Sequence, residues 1–118
     1  MEPVIKHSGT NAVMSAVTTF NQMVFLSGQV PNNVTGDIVE QTCEVLEKID
    51  SLLQSVNSDK SLLLSAQLYL KNLSDFEVVN NIWIDWLDGL ATPARATIQA
   101  DLVNPNWLIE IAVTAVHR

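Results

Sequence analysis

The chain has 118 residues, of which 47% are hydrophobic and 16% charged, a composition typical of one folded domain and not of a disordered segment. Its net charge of −7, with only six Lys and Arg residues, argues against a nucleic-acid partner, because such binding depends on clustered basic side chains. No segment predicts a membrane span or a secretion signal, and a single cysteine permits no internal disulfide, so we expect a cytoplasmic protein.

The first half of the chain predicts two or three strands followed by a helix. Residues 12–20 and 23–30 are predicted strands joined by a turn at Asn21-Gln22, and a further short strand can precede them at 4–7. A helix is predicted from residue 38 to 56, because Asp37 and Glu40 have the spacing of a capping box and apolar residues follow at helical intervals.

The second half predicts a strand, a helix and two more strands. Residues 62–70 form the strand, and Ser74 with Glu77 suggests a second capping box before a helix that ends at Asp88-Gly89. Strands at 94–102 and 107–116 follow, separated by Asn104-Pro105-Asn106, and we expect them to pair as a hairpin. The element order predicts one α+β domain over residues 1–118, with both helices on one face of a mixed five- to six-stranded sheet.

The last two predicted strands carry the charged residues that most need an explanation, Arg95 and Glu110. Residues 94–102 alternate between apolar and polar, whereas 107–116 is apolar on both faces except at Glu110 and Thr114. A buried carboxylate must be paired, hydrogen-bonded or neutralised, so a structural ion pair and a functional site both remain open. In the expected hairpin, Arg95 and Glu110 lie roughly 17 Å apart along the strands, and a site that uses both requires two chains.

The sequence contains no glycine-rich phosphate loop, zinc-protease motif, Cys-x-x-Cys pair or serine-hydrolase elbow. His7 and His117 lie far apart in sequence and have no partner at the spacing of metal ligands. Nucleotide-binding, zinc-protease, redox and serine-hydrolase functions therefore lack support, and we expect no metal site.

Several short segments of the chain form an ordered set: Ser27-Gly28-Gln29-Val30-Pro31, Gln41-Thr42, Asp75-Phe76, Val79-Asn80, Pro93-Ala94-Arg95 and Ile109-Glu110-Ile111. In this order they resemble the Rid family of reactive-intermediate imine deaminases, also known as YjgF-like proteins. The resemblance extends from about residue 13 to residue 118 and implies a chorismate-mutase-like fold. It also implies a homotrimer with its active sites between subunits, in agreement with the apolar composition of so small a domain.

The same resemblance implies an activity and a set of site residues. The reaction is the hydrolysis of 2-imino or 2-enamino acids, such as 2-aminoacrylate and 2-iminopropanoate, to a 2-oxo acid and ammonia without a cofactor. Arg95 is expected to hold the substrate carboxylate, and Glu110 to orient or activate water. Four further positions match substrate-binding residues: Ser27, Gly28, Asn80 and, through its main chain, Thr97.

Departures from the family pattern keep two other functions open. Met14 occupies the position of the family's pocket tyrosine, the common Gly-Pro-Tyr segment is absent, and the chain from Asn80 to Arg95 is about two residues shorter. These differences indicate a divergent subgroup with a different pocket. One alternative is a non-catalytic trimer that binds small carboxylates as a sensor. A ribonuclease or translation inhibitor is the other, and the net charge of −7 weighs against it.

Overall fold

Six strands and two long helices form two layers in the computed structural model, which describes residues 2–118. The strands are β1 (Lys6–Thr10), β2 (Ser15–Phe20), β3 (Met23–Leu26), β4 (Leu63–Leu70), β5 (Ala94–Gln99) and β6 (Ile109–Val116). Helix α1 (Ile38–Ser55) lies between β3 and β4 in the sequence, and α2 (Phe76–Leu87) lies between β4 and β5. Neither helix, within residues 2–118, has the length and apolarity that a membrane span requires.

The six strands form one mixed sheet in the order β1-β2-β3-β6-β4-β5. The only parallel pair described is β4–β5, whose register joins Ala66 to Arg95, and α2 is the crossover between these two strands. The predicted hairpin of the last two strands is wrong, because β4 lies between β5 and β6 and pairs with both. The mixed sheet and its two helices confirm the predicted α+β class.

The hydrophobic core lies between the helices and one face of the sheet. Strand β6 shows the alternation clearly, since Ile109, Ile111, Val113 and Ala115 are buried and the residues between them are half-buried. Both helices contribute to this core, through Val45, Ile49 and Leu53 of α1 and Val79, Trp83 and Leu87 of α2. The opposite face of the sheet, called here the open face, exposes Phe25 by 45% and Ile98 by 49%.

The start of α1 follows the predicted capping box, and the start of α2 does not. Asp37 Oδ1 accepts a hydrogen bond from the Glu40 amide at 2.9 Å, and the Asp37 amide donates to Glu40 Oε1 at 3.3 Å. A 3₁₀ turn at Leu73–Asp75 leads into α2, and Asp75 caps it without a side-chain hydrogen bond. Backbone hydrogen bonds of this turn take the place of the side-chain hydrogen bonds that a capping box would form.

The burial of β5 is the reverse of the predicted pattern. Arg95 and Thr97 are half-buried on the side of α2, whereas Ala94, Ala96 and Ile98 are exposed on the open face. The strand also ends at Gln99, three residues before the predicted end at residue 102. Because β5 is an edge strand, its helix-facing side lies at the margin of the core, where polar side chains are tolerated.

Candidate functional site

Arg95 lies beneath α2, in a cradle of polar and aromatic side chains. Its Nη2 donates a hydrogen bond to Asn80 Oδ1 at 2.6 Å. The guanidinium carbon lies 5.9 Å from the centre of the Phe76 ring and 5.6 Å from that of Trp83, both within cation–π range. Thr97 is the next residue on the same face of β5.

The charge of Arg95 has no acidic counterpart within residues 2–118. The one ion pair among these residues joins Arg118 Nη1 to Asp59 Oδ2 at 2.9 Å, far along the sequence from Arg95. Burial lowers the pKa of Arg95, but a guanidinium titrates so far above neutral pH that it stays charged. A half-buried cation of this kind, with free donors, is suited to bind an anion that enters from solvent.

A cleft of ≈ 310 Å³ opens beside this guanidinium. Its lining consists of Asn80, Trp83, Ile84, Thr92, Pro93 and Arg95. Arg95 is the only ionisable residue of this lining, so the cleft combines one positive charge with a largely apolar wall. Such a cleft can hold a small carboxylate that also has an apolar part.

Glu110 and Gly28 form a second cluster, and Ser27 precedes Gly28 in the chain. The backbone of Gln29 exchanges two hydrogen bonds with Ile111, at 2.8 and 3.0 Å, and the Ser27 amide donates to the Ala16 carbonyl at 3.0 Å. These bonds hold Gly28 directly against the Glu110 side chain, where an added Cβ would lie 2.8 Å from Glu110 Cδ. A residue without a side chain is therefore required for Glu110 to keep this position.

The Ser27–Gly28 segment runs through an irregularity in the pairing of β3 with β6. Phe25 pairs with Thr114, whereas Gln29 pairs with Ile111, so four residues on one strand span three on the other. This count is that of a β-bulge, a feature that redirects side chains and is often occupied by glycine.

Glu110 is half-buried, and burial raises the pKa of its carboxyl group. Within residues 2–118 it has no basic side chain at ion-pair distance, so a structural ion pair does not account for it. A half-buried carboxyl group with a raised pKa is a candidate for proton transfer.

The two clusters do not meet within one chain. Arg95 is level with Ala66 of β4, and Glu110 is level with Tyr69 of the same strand, three residues further on. Three residues and two strand spacings place their Cα atoms about 14 Å apart. Their side chains also leave opposite faces of the sheet, since Arg95 contacts α2 and Glu110 occupies the alternate, open-face position of β6. The hairpin that predicted roughly 17 Å along two paired strands is absent, and the observed separation of about 14 Å runs across β4.

Two side chains of the arginine cluster, Phe76 and Trp83, were not predicted as site residues. With Asn80 they occupy positions i, i+4 and i+7 of α2, which lie on one side of a helix. The sequence signal for this cluster is the polar Asn80 between two aromatic residues on the same side of the helix.

Met14, the expected counterpart of the family's tyrosine, lies at the turn between β1 and β2 and is 54% exposed. Its amide donates to Asn11 Oδ1 at 3.0 Å, and the same oxygen accepts from the Val13 amide at 2.7 Å. Residues 2–118 contain no group of three His, Cys, Asp or Glu side chains that could hold a metal ion.

A family model described as Endoribonuclease L-PSP matches residues 6–117 of the chain. The chain belongs to this family. Among relatives of the Endoribonuclease L-PSP family, a RutC family protein of Haemophilus ducreyi is 42% identical over 101 residues, which are 86% of each chain. RutC family protein YoaB of Escherichia coli is 37% identical over 101 residues, which cover 86% of this chain and 88% of YoaB.

Solved structures of the Endoribonuclease L-PSP family show the same fold. NMB1025 of Neisseria meningitidis, a member of the YjgF protein family, superposes with a TM-score of 0.92 at 40% identity, over 98% of this chain and 96% of its own. YyfA of Yersinia pestis, from the Rid protein family, superposes with a TM-score of 0.84 at 31% identity, over 91% and 90% of the two chains. These matches confirm the resemblance to Rid and YjgF-like proteins.

Proposed function

We propose that the protein hydrolyses reactive 2-imino and 2-enamino acids, such as 2-iminopropanoate and its tautomer 2-aminoacrylate, to the 2-oxo acid and ammonia. The observation that carries this proposal is Arg95, a half-buried guanidinium that no carboxylate within residues 2–118 neutralises. Its fork of donors matches a carboxylate group, which every 2-imino acid carries next to the reactive C=N bond. Resemblance to the Rid family supports the same reaction.

In the proposed reaction Arg95 binds the substrate carboxylate and thereby orients C2 toward water. The water oxygen forms a bond to C2, the π electrons of the C=N bond move to nitrogen, and Glu110 transfers the proton that water releases to that nitrogen. In the tetrahedral adduct the hydroxyl proton on C2 passes to the amino nitrogen, the C–N bond breaks with its electron pair going to nitrogen, and ammonia leaves the 2-oxo acid. An enamine first moves a proton to C3 and enters as the imine. No cofactor is needed, because the imine carbon is already electrophilic.

A site with both residues requires two chains, and we include a homotrimer in the proposal. Arg95 lies at the β5 edge of the sheet, and Glu110 lies on the open face against Gly28. The open face exposes apolar side chains, among them Phe25 and Ile98, which a neighbouring chain would cover. The β5 edge of one chain against the open face of the next brings the two clusters together.

The alternative is a non-catalytic trimer that senses small carboxylates such as 2-oxo acids. One observation favours it, because Arg95 and its contacts with Asn80 are complete in a single chain without Glu110. The exposed Met14 in place of a pocket tyrosine is also compatible with binding alone. RNA cleavage, which the family's description names, has less support, because the chain has a net charge of −7.

The proposal is tested by following 2-oxo acid release from imines that an amino-acid oxidase generates in the assay. Arg95→Lys keeps the charge and removes the planar fork, so we expect it to lose most of the activity while the protein stays folded. Loss of a charge-assisted hydrogen bond costs about 1.5–3 kcal/mol, or roughly ten- to 150-fold in rate.

Arg118→Lys is the matched control, since Arg118 is exposed, pairs with Asp59 and takes no part in either cluster. Unchanged hydrolysis by Arg95→Lys and Arg95→Ala would contradict the proposed role of Arg95. Wild-type protein that binds 2-oxo acids through Arg95 without turning imines over would establish the sensor instead.

A further inference from the structure

The contacts of Arg95 with α2 form a cradle that leaves most of its hydrogen-bond donors free. Phe76, Asn80 and Trp83 follow one another at i, i+4 and i+7 and all three contact the guanidinium. A guanidinium has five N–H donors, and the one side-chain hydrogen bond described for Arg95 goes to Asn80. The two aromatic rings attract the cation through their faces and use none of these donors.

An acidic partner in place of the rings would stabilise the charge of Arg95 equally well, but it would occupy the fork and repel an incoming carboxylate. No such partner is present within residues 2–118. The aromatic contacts restrict the guanidinium without competing for its ligand. A long, flexible arginine side chain that is already restricted loses less conformational freedom when an anion binds.

We propose that Phe76 is a positioning residue, whose ring holds the Arg95 guanidinium in place for the carboxylate of the substrate or of a 2-oxo acid. This inference rests on the proposed role of Arg95 as the carboxylate-binding group. Phe76 acts through Arg95 and takes no part in bond making or breaking.

Substitution of Phe76, and not of Trp83, tests the aromatic contact with Arg95 separately from the packing of the core. Trp83 is only 5% exposed and packs against Trp86, with 5.3 Å between the ring centres, so its removal would damage the core. Phe76 is the first residue of α2 and is 43% exposed. A change at this position therefore affects the contact with Arg95 more than it affects folding.

The test compares Phe76→Leu, which loses the ring, with Phe76→Tyr, which keeps it. The probe is 2-oxobutanoate, whose dissociation constant is measured by titration calorimetry, together with the NMR resonance of the Arg95 Nε–H group. Phe76→Leu is expected to weaken binding about two- to tenfold, the cost of fixing one flexible side chain, and to change the chemical shift of the Nε–H group because the Phe76 ring current is lost. Phe76→Tyr is expected to retain both wild-type values.

Phe20→Leu is the matched control, because Phe20 is 39% exposed and lies at the end of β2, outside both clusters. In turnover assays the Phe76→Leu effect is expected in KM, with kcat changed less. If Phe76→Leu does not fold, Phe76→Met supplies a flexible apolar side chain without a ring. Equal 2-oxobutanoate affinity and an unmoved Nε–H resonance in the folded ring-less variant would overturn the inference.

The outcome is separable from that of the proposed function. A protein that binds 2-oxobutanoate through Arg95 and Phe76 but hydrolyses no imine refutes the reaction and leaves the positioning role intact. Binding of 2-oxobutanoate that is insensitive to Arg95→Ala, or absent from the wild type, overturns the positioning role as well.

Discussion

Substitution of Gly28 by alanine tests the role of Glu110 without changing any group that carries charge. An added Cβ at Gly28 would lie 2.8 Å from Glu110 Cδ and 3.1 Å from Cγ, and one carboxylate oxygen is nearer still. Because ordinary contact begins at 3.4 Å, Cδ must retreat by about 0.6 Å and the oxygen by more. The backbone tolerates alanine, because Gly28 is not among the residues with positive φ.

A displacement of about 1 Å at a reacting group can cost on the order of 100-fold in rate. We therefore expect Gly28→Ala to lower the rate of 2-oxo acid release by one to two orders of magnitude, measured with imines generated in the assay. The stability of the fold should change by less than about 1 kcal/mol, because a compatible glycine-to-alanine change also restricts the unfolded chain.

Gly36→Ala is the control for the added methyl group. It lies in the loop before α1, where the new Cβ would meet Glu40 Cβ at 3.1 Å and would not contact Glu110. Its melting temperature shows how much a closely packed methyl group lowers the stability of the protein, while its activity should stay near that of the wild type. Full activity in a folded Gly28→Ala protein would refute the argument that the position of the Glu110 carboxylate matters.

Three further predictions follow from the separation and burial of the two clusters. When Arg95→Ala and Glu110→Gln proteins are mixed under conditions that exchange subunits, the mixture should recover some activity. If exchange is proven and no activity returns, either both residues act in a site within one chain or Glu110 is not part of the site. Light scattering should return a trimer; a stable 13.0 kDa monomer contradicts the shared site. Burial raises the pKa of Glu110, so the acid limb of the pH profile of kcat/KM should lie above the range of an ordinary glutamate. Activity should rise as pH rises, because Glu110 then ionises. If Glu110→Gln leaves this limb unchanged, the limb belongs to another group.

Local signals in the sequence were enough to predict the element order of this fold. The capping box of Asp37 with Glu40 and the apolar periodicity after it define α1, and the run of residues 107–116, apolar on both faces except at Glu110 and Thr114, predicts β6. These features depend on neighbours a few positions away, which the sequence displays directly. Predicted strand ends were less accurate: β2 begins at Ser15, three residues later than expected, and β3 ends at Leu26, four residues earlier.

Strand pairing was not predictable from such local patterns. The predicted strands 94–102 and 107–116 left a four-residue loop, which is usual for a hairpin, whereas the observed ends of β5 and β6 leave the nine residues 100–108, which is not. The order strand, helix, strand over β4, α2 and β5 favours a parallel crossover instead, and β6, apolar on both faces, suits the interior of the sheet. Both signals favour the observed strand order, whereas the adjacency of the last two strands along the chain favours a hairpin.

Some residues of the candidate site could be predicted from the sequence, and others become apparent only in the fold. Arg95 and Glu110 stood out because charge is unusual in those strands, and the family resemblance added Ser27, Gly28 and Asn80. Phe76 could not be distinguished from a core residue by sequence, since an apolar stripe at helical spacing is usually buried. Only the placement of α2 over β5 makes it a neighbour of the guanidinium.

The central position of β6 has a consequence for synthesis of the protein. This strand is the last of the six in chain order, yet it joins β3 on one side to β4 on the other. Until residues 109–116 are available, β1 to β3 and the β4–α2–β5 unit remain two separate sheets, each with an unpaired edge and an uncovered apolar surface. Ribosomes add about 5–20 residues per second, so the nascent chain carries both edges for seconds, and the sheet closes only after its last strand leaves the ribosome.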